Sequence, residues 1–198
     1  SVVEFTLLNG KCRKSGKLAG AQTGDPREFK TFDEFMTALK DQLRYVIRVV
    51  VKASHIIDDI CLNRPVPALS LSFEECIDSA KDYAWGGAKY NTGNGIICIG
   101  VADFINSVSA VKHLVYDTKQ VSMSELLDAL SCDFEGSENV LKACKEAPKF
   151  GNDDPRADDF AAELFTYIAD EIENVDVMCT ATLHTPSLIS EVRIDESL

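Results

Sequence analysis

Apolar residues recur at helical spacing over much of the chain. The longest such pattern starts near Phe32 and ends at Arg64 and Pro65, because the residue before a proline is biased out of the α region. Thr31 and Glu34 have the spacing of a capping box at its start. The apolar positions are Phe32, Phe35, Met36, Leu39, Leu43, Val46, Ile47, Val50, Ala53, Ile57 and Ile60. Their spacing of three or four residues predicts one long helix with an apolar side.

This helix would be about 48 Å long at 1.5 Å per residue. A compact chain of this size has a radius of gyration of roughly 16 Å, so its diameter is not much over 40 Å. We therefore expect either that the helix lies across the whole molecule or that its natural partner is larger than this chain.

Shorter patterns predict further helices and a few strands. A short helix is expected at 74–82 and an amphipathic one from Val101, and Ser122, Ser137 and Asp154 are candidate N-caps for three more. The alternation at 67–73 and the Val, Thr and Ile content of 175–194 indicate strands, whereas 2–8 fits a strand or a helix. Residues 9–30 contain several glycines and are expected to be loop. The predicted fold class is mainly α with a few short strands.

A glycine-rich region precedes the helix that starts at Val101. Gly86, Gly87, Gly93 and Gly95 lead into the apolar stretch 96–99, which we expect to be buried. A loop-to-helix junction explains the glycines most simply. The alternative is an anion-binding turn that would use Tyr90 and Asn91 in a small-molecule site. No Gly-Lys-Ser/Thr follows the glycines, so the alternative ranks last.

Charge limits the classes of partner. The net charge is −12 and the pI about 4.6, which argues against nucleic acid and anionic membranes, since both attract basic surfaces. Lys11, Arg13, Lys14 and Lys17 form the one basic cluster, which we interpret as a solvated loop. No apolar run is long enough to span a bilayer and no signal peptide is evident. The expected location is the cytoplasm.

The cysteines and histidines give no clear metal site. Seven cysteines without a CxxC pair indicate reduced, buried thiols. His55, Asp58 and Asp59 share a helix face, and a metal pair there is conceivable. A solvated polar stripe is the favoured interpretation, because no further ligands are apparent. The acidic run at 152–155 lacks EF-hand spacing and suits a helix N-cap better. We predict no metal site.

Several short motifs, in order over residues 2 to about 173, resemble the glycyl radical enzyme family. The likeness is to pyruvate formate-lyase-like enzymes, and more to the diol or glycerol dehydratase and arylacetate decarboxylase branches. The resemblance implies anaerobic radical chemistry in an α/β barrel of which this chain is a helical segment. The motifs are Asn9-Gly10 with Cys12-Arg13 and Gly16, Thr23 to Arg27 with Phe29 to Glu34, Gly86 to Ala88 with Tyr90-Asn91, Gly100 to Ala102 with Ser107 and Lys112, Phe134 to Gly136, and Ala147 to Asp154.

The resemblance assigns no catalytic, cofactor-binding or metal-binding residue here, and it leaves substrate-binding residues unknown. The family uses a thiyl cysteine in Gly-Cys-x-x-Pro and a radical glycine in Arg-Val-x-Gly-Tyr, and residues 1–198 contain neither run. Cys12 matches a non-catalytic cysteine, and 191–195 holds no glycine. Asn106 stands where many relatives have aspartate. The likeness fades near Asn174, so we predict a partial domain at 1–174 and a divergent tail at 175–198.

The resulting expectation is a fragment of a radical lyase, dehydratase or decarboxylase that acts on a small organic substrate and is inactive alone. Its parent would carry a glycyl radical installed by an S-adenosylmethionine-dependent activating enzyme. Its partner would be the remainder of that enzyme or a second copy. The alternative is a non-catalytic helical interaction or scaffold module derived from the family.

Overall fold

The computed structural model describes residues 2–89 and 98–174, which fall into two compact units. Unit 1 takes in 2–46 and 98–168, and unit 2 takes in 47–89 and 169–174. The α-helices are α1 Val2–Leu7, α2 Phe32–Leu62, α3 Pro67–Ser70, α4 Glu74–Ser79, α5 Val101–Val111, α6 Met123–Ser131, α7 Glu138–Glu146 and α8 Pro155–Asn174. A π-helical turn, Lys112–Asp117, continues α5, and short 3-10 turns lie at Pro26–Glu28 and Tyr83–Trp85.

The long helix and most of its shorter neighbours confirm the sequence prediction. Thr31 Oγ1 accepts from Glu34 N at 3.3 Å, and the Glu34 carboxylate accepts from Thr31 N at 3.4 Å. Ser122 and Glu125 form the second capping box, and the Asp154 carboxylate accepts from Arg156 N at 3.0 Å ahead of α8. Ser137 precedes α7 as predicted, although its side chain makes no capping bond.

The predicted strand at 67–73 is wrong. Pro67 opens the one-turn helix α3, and the amides of Leu69 and Ser70 both donate to the Val66 carbonyl, at 3.0 and 2.9 Å. Proline at a first helical position is preorganised for a turn, and seven alternating residues are too few to fix the period. Across 2–89 and 98–174 the only β pairing is an isolated antiparallel bridge between Lys11 and Leu18. Residues 2–8 are helical at α1, and the strand expected at 175–194 lies outside the described residues.

Unit 1 has an apolar core drawn from five α-helices and the segment that joins α5 to α6. The core residues, each at most 9% exposed, are Leu7, Phe35, Met36, Leu39, Leu43, Val108, Val111, Leu114, Val121, Met123, Leu126, Leu127 and Leu164. Full burial of such a side chain contributes about 1.5–3 kcal/mol. This core therefore holds the first half of α2 against α1, α5, α6 and α8.

The second half of α2, which belongs to unit 2, differs from the first. Met36, Leu39 and Leu43 are buried, whereas the positions that continue the same three-and-four spacing are exposed. We call these positions and their apolar neighbours the distal face: Val49 52%, Val50 41%, Ala53, Ile56 53%, Ile57 48% and Ile60 53% exposed. Ile47 and Val51 are buried on an adjacent side of the helix.

Two expectations about burial are wrong in part. Ile99 is 89% exposed and Cys98 is also exposed, while 96–97 lies outside the described residues. Of the described cysteines, Cys76 alone is buried, and the exposed ones are Cys61, Cys98 and Cys132. Cys61 and Cys132 sit at helix ends, where helical periodicity no longer predicts burial. Cys179 is not among the described residues.

None of the helices in 2–89 and 98–174 combines the length and the apolarity that a bilayer-spanning helix needs.

Candidate functional site

Three loops that carry the sequence motifs are each anchored by a polar side chain. In unit 1, Gln42 on α2 is fully buried and holds the loop after α1. Its amide nitrogen donates to the Ala21 carbonyl at 2.6 Å and to Thr23 Oγ1 at 3.0 Å, and its oxygen accepts from Ala21 N at 3.0 Å. All its polar atoms are therefore used inside the protein, which is the condition for burying an amide cheaply.

Asn9 fixes the other side of the same loop. Its side-chain oxygen accepts from Thr23 N at 2.7 Å and Gly24 N at 2.9 Å. Gly10 has a φ of +79°, and a Cβ there would collide with the Ala21 carbonyl oxygen. The Asn-Gly and Thr-Gly-Asp-Pro motifs thus meet at one junction in which glycine is required by space as well as by conformation.

Asp82 anchors the approach to the glycine-rich region in unit 2. Its carboxylate accepts from Val66 N at 3.0 Å, from Ser70 Oγ at 2.9 Å and from Ala84 N at 2.9 Å. Desolvation favours the neutral acid, but these hydrogen bonds outweigh it and hold the pKa of Asp82 below its usual range. The Trp85 indole N–H donates to the Leu62 carbonyl at 2.7 Å, so this turn is tied to the end of α2.

Gly87 follows directly and has no room for a side chain. A Cβ at Gly87 would lie 2.9 Å from the Cys76 sulfur and would collide with the Lys81 carbonyl oxygen. Desolvation raises the pKa of the buried Cys76 thiol, so it is packed as a neutral group. The loop-to-helix junction stays a prediction, because Tyr90, Asn91, Gly93 and Gly95 lie outside the described residues.

The third loop, 147–151, is held against α5 by hydrogen bonds, and we call this contact the α5 clip. Ser109 Oγ donates to the Pro148 carbonyl at 2.8 Å, and the Asn106 side-chain oxygen accepts from Phe150 N at 2.8 Å. Lys149 Nζ donates to the Cys144 carbonyl at 2.7 Å. An aspartate at position 106, the residue that the family resemblance leads us to expect, would offer the same kind of acceptor to Phe150 N.

The candidate metal positions whose side chains the structure describes do not assemble a site. His55 is half-buried and Asp59 is exposed, and the Asp58 side chain is outside what the structure describes. Asp154 pairs with Arg156 at 2.7 Å, and this hydrogen bond holds the pKa of Asp154 below its usual range. Within 2–89 and 98–174, no three His, Cys, Asp or Glu side chains are placed to hold a metal ion.

The basic cluster is a solvated loop, as predicted. Lys11, Arg13, Lys14 and Lys17 are all exposed on a turn closed by Cys12 N donating to the Lys17 carbonyl at 2.9 Å. Hydrogen bonds from Ser15, first from its side chain, lower the pKa of the Cys12 thiol. The charge of the nearby Glu4 carboxylate acts in the opposite direction and raises this pKa.

The Tyr116 hydroxyl is the one buried side-chain nitrogen or oxygen without a hydrogen-bond partner in the part of the chain that the structure describes. Tyr116 lies in the π-helical turn after α5, and its ring centroid is 5.8 Å from that of Phe32 and 6.2 Å from that of Phe35. Desolvation, with a contribution from Glu34, raises the pKa of Tyr116 to about 12. The phenol is therefore neutral at physiological pH.

Sequence reasoning missed the roles of Gln42, Asp82 and Ser109. Gln42 stands between the apolar positions Leu39 and Leu43, and this placement was the available signal for a buried amide. Asp82 and Ser109 reach partners 16 and 39 residues away, and no local pattern records such contacts.

Comparison with known proteins places these loops in a family. The sequence profile of the family described as pyruvate formate lyase-like matches residues 1–192. The chain is 38% identical over 180 residues to trans-4-hydroxy-L-proline dehydratase of Clostridioides difficile, covering 90% of this chain and 23% of that protein. The chain thus spans about a fifth of the length of the curated relatives that it matches.

Solved structures give the same assignment. A B12-independent glycerol dehydratase from Clostridium butyricum with glycerol bound superposes with a TM-score of 0.78 at 37% identity, covering 86% of this chain and 21% of that one. A glycyl radical enzyme from Archaeoglobus fulgidus superposes with a TM-score of 0.75 at 28% identity, covering 87% and 22%. The chain therefore belongs to the pyruvate formate lyase-like family of glycyl radical enzymes.

Proposed function

We propose that this chain is the segment of a glycyl radical enzyme that lies between the thiyl-cysteine loop and the radical-glycine loop. The parent reaction would be a radical elimination, dehydration or decarboxylation of a small organic substrate. The observation that carries the proposal is a family match over nearly the whole chain that spans only a fifth of each relative's length. The names of the relatives, which include dehydratases and isethionate sulfite-lyase, support this reaction class.

In this proposal the residues of this chain have a structural role, which is to hold its loops in fixed positions. Three sets of side chains each fix one motif-bearing loop through hydrogen bonds of 2.6 to 3.1 Å. The first set is Gln42 and Asn9, the second is Asp82 alone, and the third is Ser109 and Asn106. Rigid support of this kind is what a precisely placed reacting pair requires. The radical itself would be stored on a glycine outside this segment. A partner activating enzyme that uses S-adenosylmethionine would install it there.

Electron paramagnetic resonance tests the inactivity of the isolated chain. The purified chain is incubated anaerobically with an activating enzyme and S-adenosylmethionine, beside a complete family member as the positive control. The expected result is a glycyl radical signal in the control and none in the chain. A glycyl radical signal in the chain would contradict the proposal.

A second candidate is a non-catalytic helical interaction or scaffold module. Unit 1 favours it, because this unit has its own apolar core and two formed capping boxes. A sharp monomer or dimer that unfolds cooperatively and binds no hydrophobic dye would support this candidate, whereas aggregation or dye binding would support the fragment.

A further inference from the structure

The distal face of α2 is an apolar surface with a regular register. Val50, Ala53, Ile57 and Ile60 are spaced three, four and three residues apart, which are the a and d positions of a heptad, and Val49 and Ile56 occupy g. The five β-branched residues on this face, at 49, 50, 56, 57 and 60, are 41–53% exposed. Such a concentration on one helix side marks an interaction surface.

The width of this face indicates what kind of partner it fits. A stripe that uses a, d and g is broader than the strict a/d seam of a coiled coil and is typical of a helix that faces a globular core. The small side chain of Ala53 in its middle allows close approach of another element. The partner should therefore be the apolar interior of a folded polypeptide.

A second copy of this chain is a poorer match. Two-stranded coiled coils use charged residues at e and g to set pairing. Here g is occupied by Val49 and Ile56, and e by Ser54 and Cys61. A symmetric dimer would thus pack two broad apolar surfaces against each other, and no charged residues would fix the register of the two helices.

We propose that the distal face is a docking surface for the remaining polypeptide of the parent enzyme. This inference rests on the proposed function, since the relatives carry roughly four-fifths of their length outside the part that this chain matches. The distal face is where that additional chain packs, and it carries no charged side chain that the packing would have to desolvate.

Matched double variants test the docking surface in two contexts. Ile57→Gln with Ile60→Gln alters the a and d positions, and Lys52→Gln with Asp59→Gln is the control, because both of its sites are exposed c positions of the same helix. Glutamine retains helix propensity in every case. Each double variant is made in the 198-residue chain and in the longer polypeptide that contains it, and thermal unfolding midpoints and sedimentation are measured.

The expected result is a midpoint at least about 3 °C below that of the control in the longer polypeptide, with no difference in the isolated chain. Equal midpoints in the longer polypeptide would overturn the inference while leaving the proposed function intact. A lower unfolding midpoint of the double isoleucine variant in the isolated chain would also overturn the inference, since the distal face would then be covered within this chain. A dimer of the isolated chain that Ile57→Gln with Ile60→Gln dissociates would overturn it too, since the face would then be covered by a second copy. If no longer polypeptide contains the chain, the proposed function itself fails.

Discussion

The two halves of α2 have similar apolar patterns and opposite environments. From Phe32 to Val46 the apolar side is buried in the core of unit 1, together with the fully hydrogen-bonded Gln42. From Ile47 to Leu62 the distal face is exposed. Sequence periodicity thus reports which side of a helix needs a partner, but not whether that partner lies in the same chain.

Truncation of one apolar residue in each half should give the largest contrast. Leu39→Ala removes a fully buried side chain and should lower the free energy of unfolding by about 2–5 kcal/mol, through lost burial and a residual cavity. Ile57→Ala, at a half-exposed site, should lower it by less than about 1 kcal/mol in the same chain. Urea unfolding followed by circular dichroism compares the two variants. Similar losses would mean that the distal face is already covered.

Replacement of the buried amide tests how far unit 1 depends on its anchored loop. Gln42→Leu leaves the Ala21 amide and carbonyl and the Thr23 hydroxyl without their partner, and should cost about 1–3 kcal/mol. Gln120→Leu is the matched control, because Gln120 is exposed, and it should change stability by less than about 0.5 kcal/mol. Equal unfolding midpoints in urea for the two variants would show that the anchor contributes nothing.

Removal of the orphaned hydroxyl should act in the opposite direction. Tyr116→Phe deletes a buried donor that lacks a partner, and should stabilise unit 1 by about 1 kcal/mol. Because the folded-state pKa of about 12 exceeds the ordinary value near 10, ionisation of this phenol opposes folding: its effect on stability is constant below pH 10, and stability falls as the pH rises from 10 toward 12. The Tyr116→Phe variant should lack that loss, whereas Tyr45→Phe, at a site 41% exposed, should retain it. Denaturant titrations at pH 8 and 11 would refute this if Tyr116→Phe lost as much stability as the parent.

The smallest expected effect concerns the α5 clip, the contact of residues 147–151 with α5. Asn106→Asp keeps an acceptor for the Phe150 amide and should change stability by less than about 0.5 kcal/mol. Asn106→Leu removes that acceptor and should cost about 1 kcal/mol. Faster hydrogen exchange of the Phe150 amide in the leucine variant alone would confirm the α5 clip. Faster exchange in both variants would show that asparagine is specifically required.

The sequence predicted those features whose cause is local. The capping box at Thr31 and the N-caps at Ser122 and Asp154 follow from short-range hydrogen bonds, and all three were predicted correctly. The segment 67–73 was mistaken for a strand because seven residues are too few to tell an alternating strand from a one-turn helix with its flanking turn. Gln42, Asp82 and Ser109 could not be assigned their roles, since their partners are distant in sequence.

The coding sequence on either side of these residues tests the central claim most directly. The account predicts one continuous reading frame with a Gly-Cys-x-x-Pro run upstream and an Arg-Val-x-Gly-Tyr run downstream. The distal face would then have its partner in the same polypeptide. Start and stop signals that enclose the 198 residues, with neither run nearby, would contradict the account and favour the non-catalytic interaction module.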